Sequence, residues 1–287
     1  MKKIIVIGSA SIDLVVQTNK IPDTGETVLG EAFFTTPGGK GANQAVAAAR
    51  LYDEVYMIGA VGDDVYGREI LDNLIKNGVD VSHMDVIQNE VSGTAHITLF
   101  EEDNRIIVVP SANQHVLPET VLPKLEEFTS GDIILLQQEI PAKTVEAVIN
   151  FASENGLKVM LNPAPYRKIN VDLVDKVDWL TPNETESALL FEGKIDKGLI
   201  SYPNKLIVTQ GAKGATYYDN KLILVPGIER KVVDTTGAGD TFNGALAVGL
   251  IENRNFKDAI LFANKAASFS VTGLGAQGAM PYRSQIE

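Results

Sequence analysis

Asp240 stands directly after the turn Gly237-Ala238-Gly239, and Phe242, Ala245, Leu246, Gly249 and Leu250 follow it with helical spacing. A glycine turn running into a helix start presents unpaired backbone N–H groups and the positive end of the helix dipole. Together these suit a phosphate, and glycine lets the backbone come close to its oxygens. A carboxylate at such a place repels an anion that is merely bound. It has a use if a hydroxyl attacking a γ-phosphate must give up its proton. These residues alone equally allow Asp240 to cap an ordinary helix.

A second glycine turn, Pro37-Gly38-Gly39-Lys40-Gly41-Ala42-Asn43-Gln44-Ala45, opens another helical pattern. Its glycines expose backbone amides, and Asn43 falls in the first helical turn. Carbohydrates need such hydrogen-bonding groups at fixed angles. Lys40 offers a charge to a sugar oxygen or a phosphate. A tight loop packed under an alanine-rich helix explains the same glycines. No G-x-x-x-x-G-K-[ST] loop occurs, and Gly8-Ser9-Ala10-Ser11 lacks the later glycines of a dinucleotide fingerprint.

Positioning these turns requires a scaffold. Ile4-Ile5-Val6-Ile7 is a continuous apolar run, as expected of a strand buried on both faces. Similar runs recur at 55–58, 133–136, 159–161 and 206–208. Helical patterns lie between them, including Ala42, Ala45, Val46 and Ala49, and Val145, Val148, Ile149 and Ala152. The alternation predicts an α/β fold, a three-layer sandwich with a central, mostly parallel sheet. Two regions break the rhythm. Leu14-Val15-Val16 and Thr27-Val28-Leu29 read as strands without crossover helices. Residues 94–99 and 105–108 flank Glu101-Glu102-Asp103-Asn104 as a hairpin. They predict a small β-sheet lid from roughly residues 12–36 and 92–110 on one domain spanning 1–287, or else edge strands of the main sheet.

Composition excludes several functions. The 287 residues carry 25 Lys+Arg against 37 Asp+Glu, a net charge of −12, and no basic run, which argues against nucleic-acid binding. Absence of cysteine removes disulfides and thiolate chemistry. His83, His96 and His115 lack metal-ligand spacing. The first ten residues are too short in apolar length for a signal peptide, and no stretch is long enough to span a membrane, so the expected compartment is the cytoplasm.

The motifs together resemble the ribokinase family of carbohydrate kinases, the PfkB family. Gly38 to Arg50 is similar to its N-terminal signature and Asp234 to Ala245 to its C-terminal one. Asn162-Pro163-Ala164-Pro165 and Thr181-Pro182-Asn183-Glu184-Thr185-Glu186 lie between, similar to further family motifs. The resemblance covers nearly the whole chain. It implies Asp240 as catalytic base and the amides of Gly237, Ala238 and Gly239 as an anion hole. It implies sugar contacts from Ser11, Asp13, Gly39, Lys40, Asn43, Glu139 and Asp240. Asn183, Thr209, Gln210, Gly211, Ala212, Lys213, Gly214, Gly239 and Asn264 would bind ATP, Asn264 being a lone polar residue on an apolar helix face. Glu186 would order Mg²⁺ through water. Asp234, Thr236, Ser270, Gly273 and Gly275 would hold a monovalent cation, usually K⁺.

The implied reaction is transfer from MgATP to the 5-hydroxyl of D-ribose. Deoxyribose, a ketohexose or a nucleoside are alternative acceptors. A sugar phosphate would call for more basic residues than Lys40. A sugar-binding protein that had lost catalysis would show damage at Asp240 or its glycine turn, and both are intact. Three departures stand out. Ser11 replaces the asparagine common in the family, Ala279 replaces a hydroxyl that some members offer to the cation, and 191–204 is shorter than usual. The family also implies a homodimer through the lid.

Overall fold

The computed structural model describes residues 1–100 and 103–287, so the tip of the expected hairpin at 101–102 lies outside the described residues. Its centre is a six-stranded, all-parallel sheet made of β1 (Ile4–Ile7), β4 (Val55–Gly62), β5 (Asp80–Ile87), β8 (Ile133–Leu136), β9 (Lys158–Leu161) and β10 (Trp179–Leu180). Their spatial order is β10-β9-β8-β1-β4-β5. Alternation along the central strands explains their unbroken apolar sequence. Ile4, Val6, Ile133 and Leu135 enter one core, while Ile5, Ile7, Ile134 and Leu136 enter the other. Each such side chain, buried on folding, contributes roughly 1.5–3 kcal/mol.

The first core is closed by α1 (Lys40–Ala49), α2 (Val65–Lys76), α8 (Ala238–Ile251) and α9 (Phe256–Ser270). The second is closed by α3 (Pro118–Leu125), α4 (Ala142–Asn155), α5 (Val171–Lys176) and α7 (Ile195–Ser201). The helix α6 (Glu184–Leu190) follows β10, and α10 (Arg283–Ile286) lies near the end of the chain. At Gly41 α1 runs so close to β1 that a Cβ would stand 2.6 Å from the Gly8 carbonyl carbon. The glycines of the first motif thus include one that lets a helix press against the sheet.

A four-stranded side sheet combines β2 (Ser11–Thr18), β3 (Ala32–Gly38), β6 (Gly93–Phe100) and β7 (Asp103–Val109) in the order β3-β2-β6-β7. The β2–β6 pair is parallel and the outer pairs are antiparallel. The irregular strands therefore form a sheet of their own rather than edges of the main one. Thr27-Val28-Leu29 is not a strand; it lies in a loop between Gly25 and Gly30 with Leu29 exposed, and pairs with no strand among the described residues. The run at 206–208 also differs from expectation. Only Val208–Thr209 forms a strand, β11, which pairs antiparallel with β12 (Gly214–Tyr218) and through it with β13 (Leu222–Pro226). Leu206 and Thr209 join the main sheet's edge through isolated bridges to Leu180 and Asn183. The edge strand β5 escaped the apolar-run criterion because Asp80, Ser82, His83 and Asp85 interrupt it.

Candidate active site

Parallel strands place all their carboxyl ends on one rim, and the polar residue after each strand gathers there. With β4 on one side of β1 and β8 on the other, the winding reverses beside β1. In that crevice Ser9 Oγ donates to Glu139 Oε2 at 2.5 Å, and the Lys40 backbone N–H donates to the same oxygen at 3.0 Å. Asn113 clamps the start of the next segment, accepting from the Ala10 N–H and donating to the Ala10 carbonyl, both at 2.9 Å.

The start of α8 brings Asp240 to the same crevice. Gly237, at φ +77°, is the helix N-cap and Asp240 is not. The Asp240 carboxylate instead turns inward, leaving the residue 6% exposed. Its Oδ2 accepts from Asn43 Nδ2 at 2.9 Å and its Oδ1 from Gln44 Nε2 at 3.0 Å. Of the three turn amides, Ala238 N–H donates to the Thr235 carbonyl at 3.2 Å. Those of Gly237 and Gly239 have no partner among the described residues.

Two cavities meet at this point. Ser9, Ser11, Asp13, Gly39, Asn43 and Glu139 line the first, with Ala95, Ile97, Ile106 and Val108 of the side sheet closing over them. Asn162, Thr181, Asn183, Glu186, Thr209, Gly239 and Asn243 line the second. Lys40, Gly237 and Asp240 line both.

One lysine stands among four carboxylates, and the electrostatics follow. Burial, then the charges of Glu139 and Asp240, push the Asp13 carboxyl up to about 7. Burial also raises Asp240, against the pull of Lys40 and the Gln44 and Asn43 hydrogen bonds. The Asp240 charge raises Lys40 in spite of desolvation, with Glu139 and Glu186 adding to it. Burial raises Glu186, opposed by its bond from Asn183 and by Lys40. Such a cluster favours ligands that bring hydrogen-bond donors or cations.

Asn183 and Glu186 form a capping box on α6. Asn183 Oδ1 accepts from Glu186 N–H at 2.8 Å, and Glu186 Oε2 accepts from Asn183 N–H at 2.9 Å. The pairing fixes both side chains at the mouth of the second cavity. Gln210 to Gly214 form a tight turn between β11 and β12 and line neither cavity. Asn264 also lies away from both. Its Nδ2 donates to the carbonyls of Val225 and Pro226 at 3.0 and 3.1 Å, which explains a polar residue on that face.

Asp234, Thr236 and Gly275 do come together. Asp234 accepts through Oδ1 from Thr236 N–H and through Oδ2 from Gly275 N–H, both at 2.9 Å. Burial alone would raise its carboxyl, but these bonds hold it below the usual range. Val271, between Ser270 and Gly273, accepts from the N–H groups of Val233 and Asp234 through its carbonyl. The five residues thus share one neighbourhood, where the Ala279 methyl packs beside Gly273.

Sequence reasoning passed over Ser9, Gln44, Asn113, Thr181 and Asn243. Asn162 Nδ2 donates to the Thr181 carbonyl at 3.1 Å, Thr181 Oγ1 to Asn243 Oδ1 at 2.5 Å, and Asn243 Nδ2 to the Gly239 carbonyl at 2.8 Å. These bonds tie the glycine turn to the ends of β9 and β10. The available signal was position: Thr181 follows a parallel strand directly, and Ser9 follows one after Gly8.

A sequence model described as pfkB family carbohydrate kinase matches residues 1–283. A ribokinase of Bacillus subtilis (strain 168) is 50% identical over 289 residues, covering 100% of this chain and 99% of its own. The crystal structure of a ribokinase from Thermotoga maritima superposes with a TM-score of 0.90 at 34% identity, covering 100% of this chain and 98% of that one. The structure of Arabidopsis thaliana ribokinase complexed with ribose and ATP gives 0.89 at 33% identity, covering 99% and 97%.

Proposed function

Since the chain belongs to the pfkB family of carbohydrate kinases, we propose that it transfers the γ-phosphoryl group of ATP to the 5-hydroxyl of D-ribose, with Asp240 as base. One observation carries the reading: Asp240, Gly237 and Lys40 form the wall common to two cavities. The sugar occupies the first, held by Ser11, Asp13, Gly39, Lys40, Asn43 and Glu139. The ATP phosphates occupy the second, against Asn183, Thr209 and Gly239. The adenosine extends outward toward Gln210, Gly211, Ala212, Lys213, Gly214 and Asn264. The side sheet acts as the lid, over roughly residues 12–36 and 92–110.

In the reaction Asp240 takes the proton of the sugar hydroxyl. That oxygen forms its bond to the γ-phosphorus as the bond to the β,γ-bridging oxygen breaks, and ADP leaves. The free N–H groups at Gly237 and Gly239, with that of Ala238, stabilise the charge on the transferring group. A half-buried Glu186 at the cavity mouth fits a hydrated Mg²⁺, which would neutralise phosphate charge. Asp234, kept ionised beside the turn, fits K⁺ with Thr236, Ser270, Gly273 and Gly275. The proposed compartment is the cytoplasm. Among the described residues no helix is long and apolar enough to cross a membrane.

ADP formation across pentoses, hexoses, sugar phosphates and nucleosides tests the acceptor, and parallel assays with and without K⁺ test the cation. D-Ribose is expected to lead; activity confined to nucleosides would overturn the assignment. Asp240→Asn is expected to lower turnover by roughly 10²–10⁴-fold while ATP affinity stays within a few-fold. Near-normal turnover would remove Asp240 as base.

A further inference from the structure

Asp240 is the end point of a hydrogen-bonded chain that begins at the far end of α1. Arg50 Nε donates to Asn77 Oδ1 at 2.8 Å. Asn77 Nδ2 donates to the Asn73 carbonyl at 2.8 Å and to Asn73 Oδ1 at 3.3 Å. Asn73 Nδ2 donates to Gln277 Oε1 at 2.8 Å, and Gln277 Nε2 to Asn43 Oδ1 at 2.9 Å. Asn43 Nδ2 then donates to Asp240 Oδ2 at 2.9 Å. Each amide receives on its carbonyl and passes on through its NH₂ group.

The termini dictate this direction. A guanidinium only donates and a carboxylate only accepts. With a pure donor at one end and a pure acceptor at the other, one orientation of the four amides satisfies every bond. Reversing any amide sets oxygen against oxygen on one side and N–H against N–H on the other. Asn43, Asn77 and Gln277 are buried, so water does not repair a reversed link. Arg50 is itself fixed, donating through Nη1 to the carbonyls of Gln277 and Met280 at 2.9 and 2.6 Å.

We propose that Asn73 and Gln277 are positioning residues for Asp240, forming with Asn77 and Asn43 a one-way amide relay from Arg50 that aims the Asn43 N–H group at the base. The proposal rests on Asp240 being that base. The relay holds one carboxylate oxygen in place, and Gln44, which accepts from Gln137 at 2.7 Å, holds the other. Reversed, Asn43 would turn its own oxygen on the Asp240 carboxylate and push it out of alignment with the acceptor hydroxyl.

Substitutions that reverse the relay are separable from those that merely cut it. Asn73→Asp offers oxygens on both sides, so Gln277 must donate toward it and present its carbonyl to Asn43. Gln277→Glu removes the donor to Asn43 directly. Asn73→Leu deletes the links without reversing them. Steady-state kinetics and unfolding midpoints are measured on all three full-length variants and the wild type. The expected result is a kcat at least about tenfold lower in Asn73→Asp and Gln277→Glu, with the KM for ATP within about twofold, and a smaller loss in Asn73→Leu although it is the least stable. A purely structural role predicts the opposite order, with turnover following stability. Equal kcat in Asn73→Asp and Asn73→Leu, or wild-type kcat in Gln277→Glu, would overturn the relay. If the Asn73 variants do not fold, Gln277→Glu decides alone. An inactive wild type, or an Asp240→Asn variant of normal turnover, would strike the proposed function itself, whereas an active wild type matched by its relay variants strikes only the relay.

Discussion

Asp13 shows what gathering carboxylates in the proposed sugar cavity costs the fold. Its carboxyl is buried beside Glu139 and Asp240 and titrates at about 7 in the folded chain against an ordinary 3.8. Folding therefore favours its protonated form. That stability is fully present below the ordinary value and is lost as pH rises toward 7, to the extent of roughly 4 kcal/mol at most. Asp13→Asn is expected to raise the thermal unfolding midpoint of the sugar-free protein at pH 8, with the gain shrinking toward pH 4. It should also raise the KM for the sugar, since the acceptor loses a charged hydrogen-bond partner. Parallel pH–stability curves for variant and wild type would show that Asp13 ionises without strain. Ser11, 6% exposed in the same cavity, is the neighbouring residue proposed to influence acceptor choice.

At the scale of elements, the glycine turn before α8 contains two glycines with different duties. Gly237 has φ +77°, and a Cβ on it would stand 2.5 Å from the Ala276 carbonyl oxygen. Gly239 has nothing within 4 Å of its would-be Cβ. Gly237→Ala is therefore expected to destabilise the fold by about 1–3 kcal/mol and to lose activity with it. Gly239→Ala should leave the unfolding midpoint within a degree or two while still lowering kcat, because its methyl would project into the proposed phosphate site. Calorimetry and turnover on both variants check the pair. An unstable Gly239→Ala would show that the turn, not the open space beside it, demands glycine. The same turn is tied to Thr181 and Asn162 through Asn243, so α8 and the ends of β9 and β10 set its position jointly.

At the scale of the whole molecule, the outer face of the side sheet exposes large apolar side chains. Register sets Asp13, Ala95, Ile97, Ile106 and Val108 on the face of the side sheet toward the cavity, and Val16, Phe33 and Ile107 on the opposite face. Phe33 is 64% exposed and Ile107 70%. Exposed apolar side chains of this kind fit an association surface, and the homodimer through the lid that the family resemblance implies would cover them. Ile107→Glu, which points away from the cavity, is expected to shift the protein to monomer in light scattering and to raise the KM for the sugar through a looser lid. A wild-type monomer at the same concentration would remove the dimer from the account.

The sequence by itself determined the scaffold and the two glycine turns. Ile4–Ile7 and Ile133–Leu136 admit few readings other than strands buried on both faces, because four consecutive apolar residues leave no solvated side. The turns were legible because their glycines cluster ahead of helical patterns, with Gly39 and Gly237 at positive φ, and their wording carried the family. What only the tertiary structure decided is which residues meet. Asp240 was equally a helix cap until the fold showed Gly237 in that place and the carboxylate turned toward Asn43 and Gln44. Likewise, only the fold shows that the Asn264 amide donates to the Val225 and Pro226 carbonyls. Hydrogen bonds across 197 residues, as between Asn43 and Asp240, leave no periodicity in a sequence. Apolar burial is written as a pattern along the chain, whereas the partner of a buried polar group is fixed only when distant segments close around it.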